Sequence, residues 1–261
     1  MRRLACTAAH EGPVVIGDGL FFTTLPSAPG RTSIRRLSLV DGRLETLVAD
    51  ANAANGMTRD AQGRLIVCEQ GTLGTDAAIT RIDPATAARE VLADRCDGRP
   101  FNSPNDVCVR SDGSIWFTDP SYGHLQGFRP APAGGDDIYR IDAATGRTTR
   151  VASNFDKPNG LAFSPDERIL YVGDTGAGEL YAIELATGRR RRLARFEGEH
   201  PDGLKVTPDG RLLASSPHGV DVLDREGARV GRYEIPGAVN LWIEGERIYV
   251  TADTAIWEAR V

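Results

Sequence analysis

Residues 102–123 read N-S-P-N-D-V-C-V-R-S-D-G-S-I-W-F-T-D-P-S-Y-G. Two asparagines and an aspartate lead into the alternating run V-C-V-R. A D-G pair then marks a turn, and a second apolar run, I-W-F, ends in T-D-P. Polar side chains such as those of Asn105 and Asp106 cost free energy when buried without partners. Their place at the mouth of a buried strand therefore calls for something that they face.

The same unit recurs along the chain: a small polar residue, a short apolar strand, a turn and a second strand. The copies are E-G-P-V-V-I-G-D-G-L-F-F-T-T from Glu11, N-G-M-T-R-D-A-Q-G-R-L-I-V-C-E from Asn55 and N-D-V-C-V-R-S-D-G-S-I-W-F-T-D from Asn105. They continue with N-G-L-A-F-S-P-D-E-R-I-L-Y-V-G-D from Asn159, D-G-L-K-V-T-P-D-G-R-L-L-A-S-S from Asp202 and N-L-W-I-E-G-E-R-I-Y-V-T-A-D from Asn240. Successive starts are 44, 50, 54, 43 and 38 residues apart. After each pair come two more strand-like pieces, such as D-D-I-Y-R-I-D then T-T-R-V-A. Convincing helical periodicity is absent. Repeats of roughly 40–50 residues made of strands are the mark of a β-propeller.

The expected fold is all-β: one six-bladed propeller domain over residues 1–261, with four antiparallel strands per blade. The sixth unit is one strand short, and residues 2–9 (R-R-L-A-C-T-A-A) form a spare strand ahead of Glu11. That strand is expected to complete the last blade and so remove an open edge.

Composition narrows the function. With 41% hydrophobic and 26% charged residues the chain is globular rather than disordered. A net charge of −5 argues against a general nucleic-acid or anionic-membrane surface. The arginine run at 189–195 is expected to be an exposed outer strand. Cys6, Cys68, Cys96 and Cys108 form no C-x-x-C pair and read as reduced thiols. The amino terminus lacks an apolar core of signal-peptide length, and no segment has the apolar length of a membrane span. A cytoplasmic protein is expected; the oligomeric state is not legible.

In a propeller the first strand of each blade lines the central channel, so the unit starts form a ring: Glu11, Asn55, Asn105, Asn159, Asp202 and Asn240. All six carry side-chain oxygen acceptors. Asn and Asp are common turn formers, but Gly and Ser would serve as well, and Glu11 is no turn former. Oxygens without a soft ligand suit a hard divalent cation. Ca²⁺ fits best, since it takes 6–8 oxygens in loose geometry. Mg²⁺, Mn²⁺ and Zn²⁺ are the alternatives.

At this point the chain resembles the gluconolactonase / regucalcin / luciferin-regenerating-enzyme family of six-bladed propellers, closest to its bacterial gluconolactonase-like branch. The carrying motifs are E-G-P-V at 11–14, A-N-G-M-T-R-D-A-Q-G-R-L-I-V-C-E at 54–69, N-S-P-N-D-V at 102–107, D-G-S-I-W-F-T-D-P-S-Y-G at 112–123, P-N-G-L-A-F-S-P-D-E-R-I-L-Y-V at 158–172 and P-D-G-L-K-V at 201–206. The resemblance implies Glu11, Asn159 and Asp202 as metal ligands, with Asn105 reaching the metal or the substrate and Asn55 nearby in the pocket. It implies hydrolysis of a lactone, usually a sugar aldonolactone, to the open hydroxy acid. Members often carry an aromatic residue and a D-I pair where this chain has V-V and Thr23-Thr24, and E-H-G where it has Glu69 to Gly71; these departures bear on the substrate more than on the metal.

Asp202 could bind the metal through one oxygen and take a proton from water through the other; His218 is the alternative base. Tyr122, Asp119 and Glu69 are candidates for the substrate's side of the pocket, with turn and strand-end roles as the competing reading. Asp174 holds the equivalent strand end in the fourth unit. His10 is expected to be structural, and His124 and His200 solvated. No G-x-S-x-G elbow supports serine catalysis. A hydrolase of another ester or a phosphotriester on the same metal, and a non-catalytic metal- or ligand-binding propeller, are the other functions open to this ring.

Overall fold

The computed structural model describes residues 1–261, and nearly all of the regular structure is strand. Blade one runs Glu11–Ile16, Gly19–Thr23, Ile34–Ser38 and Leu44–Val48; blade two, Ala54–Arg59, Leu65–Glu69, Ala78–Ile82 and Arg89–Ala93. Blade three is Val107–Val109, Ile115–Asp119, Asp137–Ile141 and Thr148–Ala152; blade four, Pro158–Phe163, Ile169–Asp174, Glu179–Glu184 and Arg190–Arg195. Blade five is Leu204–Val206, Leu212–Ser216, Gly219–Leu223 and Arg229–Tyr233. Within each, neighbouring strands are antiparallel and follow chain order from the axis outward.

Blade six closes the ring as expected. Asn240–Glu244 pairs with the start of Arg247–Arg260. That long run reverses at Asp253, whose φ is 48°, and its end returns to its beginning: Val261 N–H donates to Glu246 O at 3.0 Å. The amino-terminal strand Arg2–Ala9 then pairs with the returning half, with Arg2 opposite Glu258 and Ala9 opposite Asp253.

The core lies between blades and explains the uninterrupted apolar second strands. A strand buried on both faces turns alternate residues to opposite neighbours. In L-I-V-C, Leu65 and Val67, with Met57 of the same blade, pack toward Val14 and Phe21 of blade one, while Ile66 and Cys68 pack toward blade three with Phe101, Val107 and Phe117. Around the ring there are six such clusters, one per blade interface; Val15, Leu20 and Phe22 of blade one meet Tyr249 and Ile256 of blade six. Each blade is thereby held by both neighbours.

The arginine-rich segment Arg190–Arg195 is the outer strand of blade four, largely exposed, and Arg192 pairs with Glu179 at 2.8 Å. All four cysteines are free thiols. One departure from the strand-only reading is a single helical turn, Tyr122–Leu125, in the long connection of blade three. Arg129, itself buried, fixes that connection by donating to the carbonyls of Asn102 (3.0 Å), Phe101 (3.1 Å), Thr72 (2.9 Å) and Thr75 (2.8 Å). No helix is long and apolar enough to cross a membrane.

Candidate active site at one end of the channel

The inner strands begin at one end of the axis, where their first residues surround a cavity of about 270 Å³. Glu11, Asn55, Asn105, Asn159 and Asp202 all line it. Tyr122, carried by the helical turn, lines it too, with His10, Thr32, Gln70, Gln126, Phe128 and Thr175 among the remaining walls.

The backbone that carries these residues is held between blades. Gly160 N–H donates to Asp202 O at 2.9 Å, and Gly56 N–H donates to Asn105 O at 2.8 Å. These contacts require glycine: a Cβ at Gly160 would lie 2.3 Å from Asp202 O, and one at Gly56 would lie 2.4 Å from Asn105 O. Hydroxyls of the second strands brace the next blade, Thr23 on Asn55 O at 3.0 Å and Thr118 on Asn159 O at 2.9 Å.

Three side-chain amide oxygens here, those of Asn55, Asn105 and Asn159, are buried and accept no hydrogen bond. Such atoms are rare in folded proteins, and each calls for a partner. Two carboxylates face them. Burial, reinforced by the charges of Asp202 and Asp106, raises the Glu11 pKa well above the ordinary carboxylate range. Burial also raises Asp202, with the charges of Asp106 and Asp253 adding to it and the Asn159 amide opposing it. Two acids that resist ionisation beside three unpartnered oxygens form a set that a hard divalent cation would satisfy. No group of three or more His, Cys, Asp or Glu side chains is gathered as a metal cluster in this chain. The donor set is therefore mixed, two carboxylates with neutral amides.

The sixth ring position behaves differently. Asn240 does not line the cavity: its Nδ2 donates to Glu11 Oε2 at 2.6 Å while its Oδ1 accepts from Leu241 N–H at 2.7 Å. Its amide orients Glu11 from behind. Asp106, one residue past the ring, is fully buried, and its Oδ2 lies 3.6 Å from Lys205 Nζ. Lys205 Nζ is also 3.5 Å from Asn240 Oδ1. Spacing alone brings neither Lys205 nor the orienting role of Asn240 to notice.

Glu69 and Asp119, expected on the substrate's side, are not among the cavity walls. Glu69 receives two bonds from Arg89, both at 2.7 Å, and one each from Thr80 and Asn52. Asp119 accepts from the backbone N–H groups of Asn102 and Ser103, both at 2.9 Å, and burial outweighs these bonds to push its pKa up to about 7. Both carboxylates tie down the segment leading into an inner strand, as Asp174 does by accepting from Asp156 N–H at 2.9 Å. His218 is exposed and away from the cavity; His124 and His200 are exposed as well. His10 does line the cavity, and its Nδ1 lies 2.7 Å from Asp253 Oδ1. Burial pulls its pKa down, but the Asp253 bond and the Glu11 charge together prevail and raise it. Burial first, then the Asp202 charge, pushes the Tyr122 hydroxyl up to about 12, which keeps it protonated at neutral pH.

Fold and cavity together define a six-bladed propeller with a pocket at one end of its axis into which carboxylate and amide oxygens converge. Known proteins share the fold. The chain belongs to the SMP-30/Gluconolactonase/LRE-like family, which it matches over residues 11–252. It is 32% identical to a gluconolactonase of Zymomonas mobilis over 249 residues, covering 85% of this chain and 68% of that protein. A gluconolactonase structure from Xanthomonas campestris superposes with a TM-score of 0.89 at 35% identity, covering 99% of this chain and 88% of the other. A regucalcin of Agrobacterium tumefaciens, described as calcium-binding, shares the fold at 21% identity with a TM-score of 0.78, over 98% of this chain and 92% of that one.

Proposed function

We propose that the protein hydrolyses a lactone, with a sugar aldonolactone as the substrate class, at a divalent-cation site formed by Glu11, Asn159 and Asp202 with Asn105 beside them. The observation that carries this reading is the set of three unpartnered amide oxygens facing two carboxylates that burial drives toward their protonated forms. The kinship with gluconolactonases supports the reaction. Calcium is the favoured ion, because amide oxygens and loose geometry suit it; the calcium-binding regucalcin of the same fold agrees.

Bound in this pocket, the cation supplies Lewis-acid polarisation of the ester carbonyl and stabilisation of the oxyanion. The chain's own groups do the rest. Asp202, open to the cavity, accepts a proton from the attacking water as the water oxygen bonds to the carbonyl carbon. The ring C–O bond then breaks, and the ring oxygen takes that proton from Asp202 to become the hydroxyl of the product acid, leaving Asp202 ionised again. Asn55, Asn105 and the protonated Tyr122 hydroxyl hold the substrate's oxygens. Phe128 and Pro26 add apolar surface to the wall.

The test is metal content of the purified protein, with hydrolysis of an aldonolactone panel before and after chelation. Acid release that chelator stops and calcium restores is the expected result. Tight ion binding with no turnover of any lactone overturns the catalytic part. Full activity in metal-free protein overturns the cation.

A further inference from the structure

One residue of the cavity wall, His10, is paired with Asp253, and the reaction above uses neither. His10 sits between the closing strand Arg2–Ala9 and the first inner strand, immediately before Glu11. Its backbone N–H donates to Thr23 O at 2.9 Å, and its ring Nδ1 lies 2.7 Å from Asp253 Oδ1. An ionised carboxylate only accepts, so Nδ1 carries the hydrogen and Nε2 is the ring's other hydrogen-bonding edge. Asp253 is itself fixed: it stands at the reversal of the last hairpin with φ 48°, opposite Ala9 in the sheet register. The imidazole is therefore held at its backbone and at one nitrogen, while its other nitrogen belongs to a ring that lines the cavity.

Nε2 accepts from a hydroxyl when the ring is neutral and donates to one when it is protonated, so a hydroxyl satisfies it in either form. We infer that His10, oriented by Asp253, hydrogen-bonds a hydroxyl of the bound lactone and so selects polyhydroxylated lactones over unsubstituted ones. This rests on the lactone reading proposed above. His10 is a specificity residue and Asp253 a positioning residue, since Asp253 acts only through the ring. Sites that bond a substrate hydroxyl discriminate strongly against the analogue lacking it, because the site's own polar group is then left unpaired.

The experiment compares D-glucono-δ-lactone with δ-valerolactone, the same ring without hydroxyls, in the calcium-loaded enzyme. The variants are His10→Phe, His10→Gln and Asp253→Asn. Thermal melting and divalent-ion affinity are measured alongside to confirm that the pocket persists. The ratio of kcat/KM between the two lactones should fall about tenfold or more in His10→Phe, mostly through KM. It should fall less in Asp253→Asn, and His10→Gln, whose amide can still accept, should recover part. An unchanged ratio in His10→Phe, with both substrates losing equally or neither losing, overturns the inference. If wild-type protein hydrolyses neither lactone, the lactone reading fails instead. The pair is then judged by calorimetric binding of gluconate, where equal affinity in wild type and His10→Phe overturns it.

Discussion

The two ends of the axial channel are made by the same six inner strands, yet their chemistry is opposite. At the starts of the strands lie Glu11, Asn55, Asn105, Asn159 and Asp202, with amide oxygens that find no partner in the protein. A few residues further along, the opposite mouth is a hollow of about 340 Å³ walled mostly by apolar side chains such as Val107, Leu161, Phe163, Val206, Trp242 and Ile243, with Thr58, Ser164, Glu167 and Lys205 as its polar members. Between them Lys205 reaches Asp106 and Asn240 and matches one of the three buried carboxylates. That leaves two acids, Glu11 and Asp202, unmatched at the first end. Chemistry belongs there because Glu11, Asp202 and three unpartnered amide oxygens converge on that cavity; the far end is mostly apolar packing.

Four measurements can break or sharpen that contrast. The largest effect is expected from Asp202→Asn, which keeps the shape but removes a charge and a proton acceptor. Turnover should fall by about 10²–10⁴-fold, with weaker divalent-ion binding and a metal-free melting temperature no lower than wild type. Near-wild-type turnover would remove Asp202 from the reaction.

Next comes Lys205→Met, which leaves Asp106 buried without a counter-charge. A loss of up to about 3 kcal/mol in chemical denaturation is expected, and adding Asp106→Asn should recover much of it. No loss would mean that the pair is not what balances the channel.

The third is the pH dependence of ion binding. Glu11 and Asp202 have folded-state pKa values raised by burial, so the metal-free protein binds more protons than the unfolded chain does. These two groups therefore lower metal-free stability as pH rises from the ordinary carboxylate range through their raised values. An ion must displace those protons, so its affinity should climb between about pH 5 and about pH 8. Chelator-buffered titrations read this directly, and a flat profile would show that the two acids are not ligands.

The smallest effect is expected from Ile243→Thr at the apolar mouth. A stability cost of about 1 kcal/mol and less than about a twofold change in kcat are anticipated. A large loss of kcat would make the two ends less separate than their chemistry implies.

Much of this was legible in the sequence because a propeller repeats its instructions. The unit starts, the four strands per unit and the closing strand all follow from period and alternation. The N-G and D-G pairs were harder. As turn signals they mislead at Gly56 and Gly160, which lie inside inner strands because the neighbouring blade's carbonyl occupies the space of a Cβ. Equivalence of spacing also hid a difference of role, since Asn240 occupies a ring position yet spends its amide on Glu11. Glu69 and Asp119 end their strands as a pocket acid would. Only the folded lead-in segments show their oxygens already taken. The contacts that sequence could not offer at all join distant positions, His10 with Asp253 and Asp106 with Lys205, because no local pattern registers a meeting across the ring.

The strand that seals the last blade runs directly into His10 and Glu11, and its partner hairpin supplies Asp253. Occupying the pocket therefore tightens the seam where the first and last parts of the polypeptide meet, by linkage between ligand binding and local opening. Hydrogen exchange in Arg2–Ala9 should slow when the pocket is filled, so the joint between the two ends of the polypeptide is guarded by its own ligand.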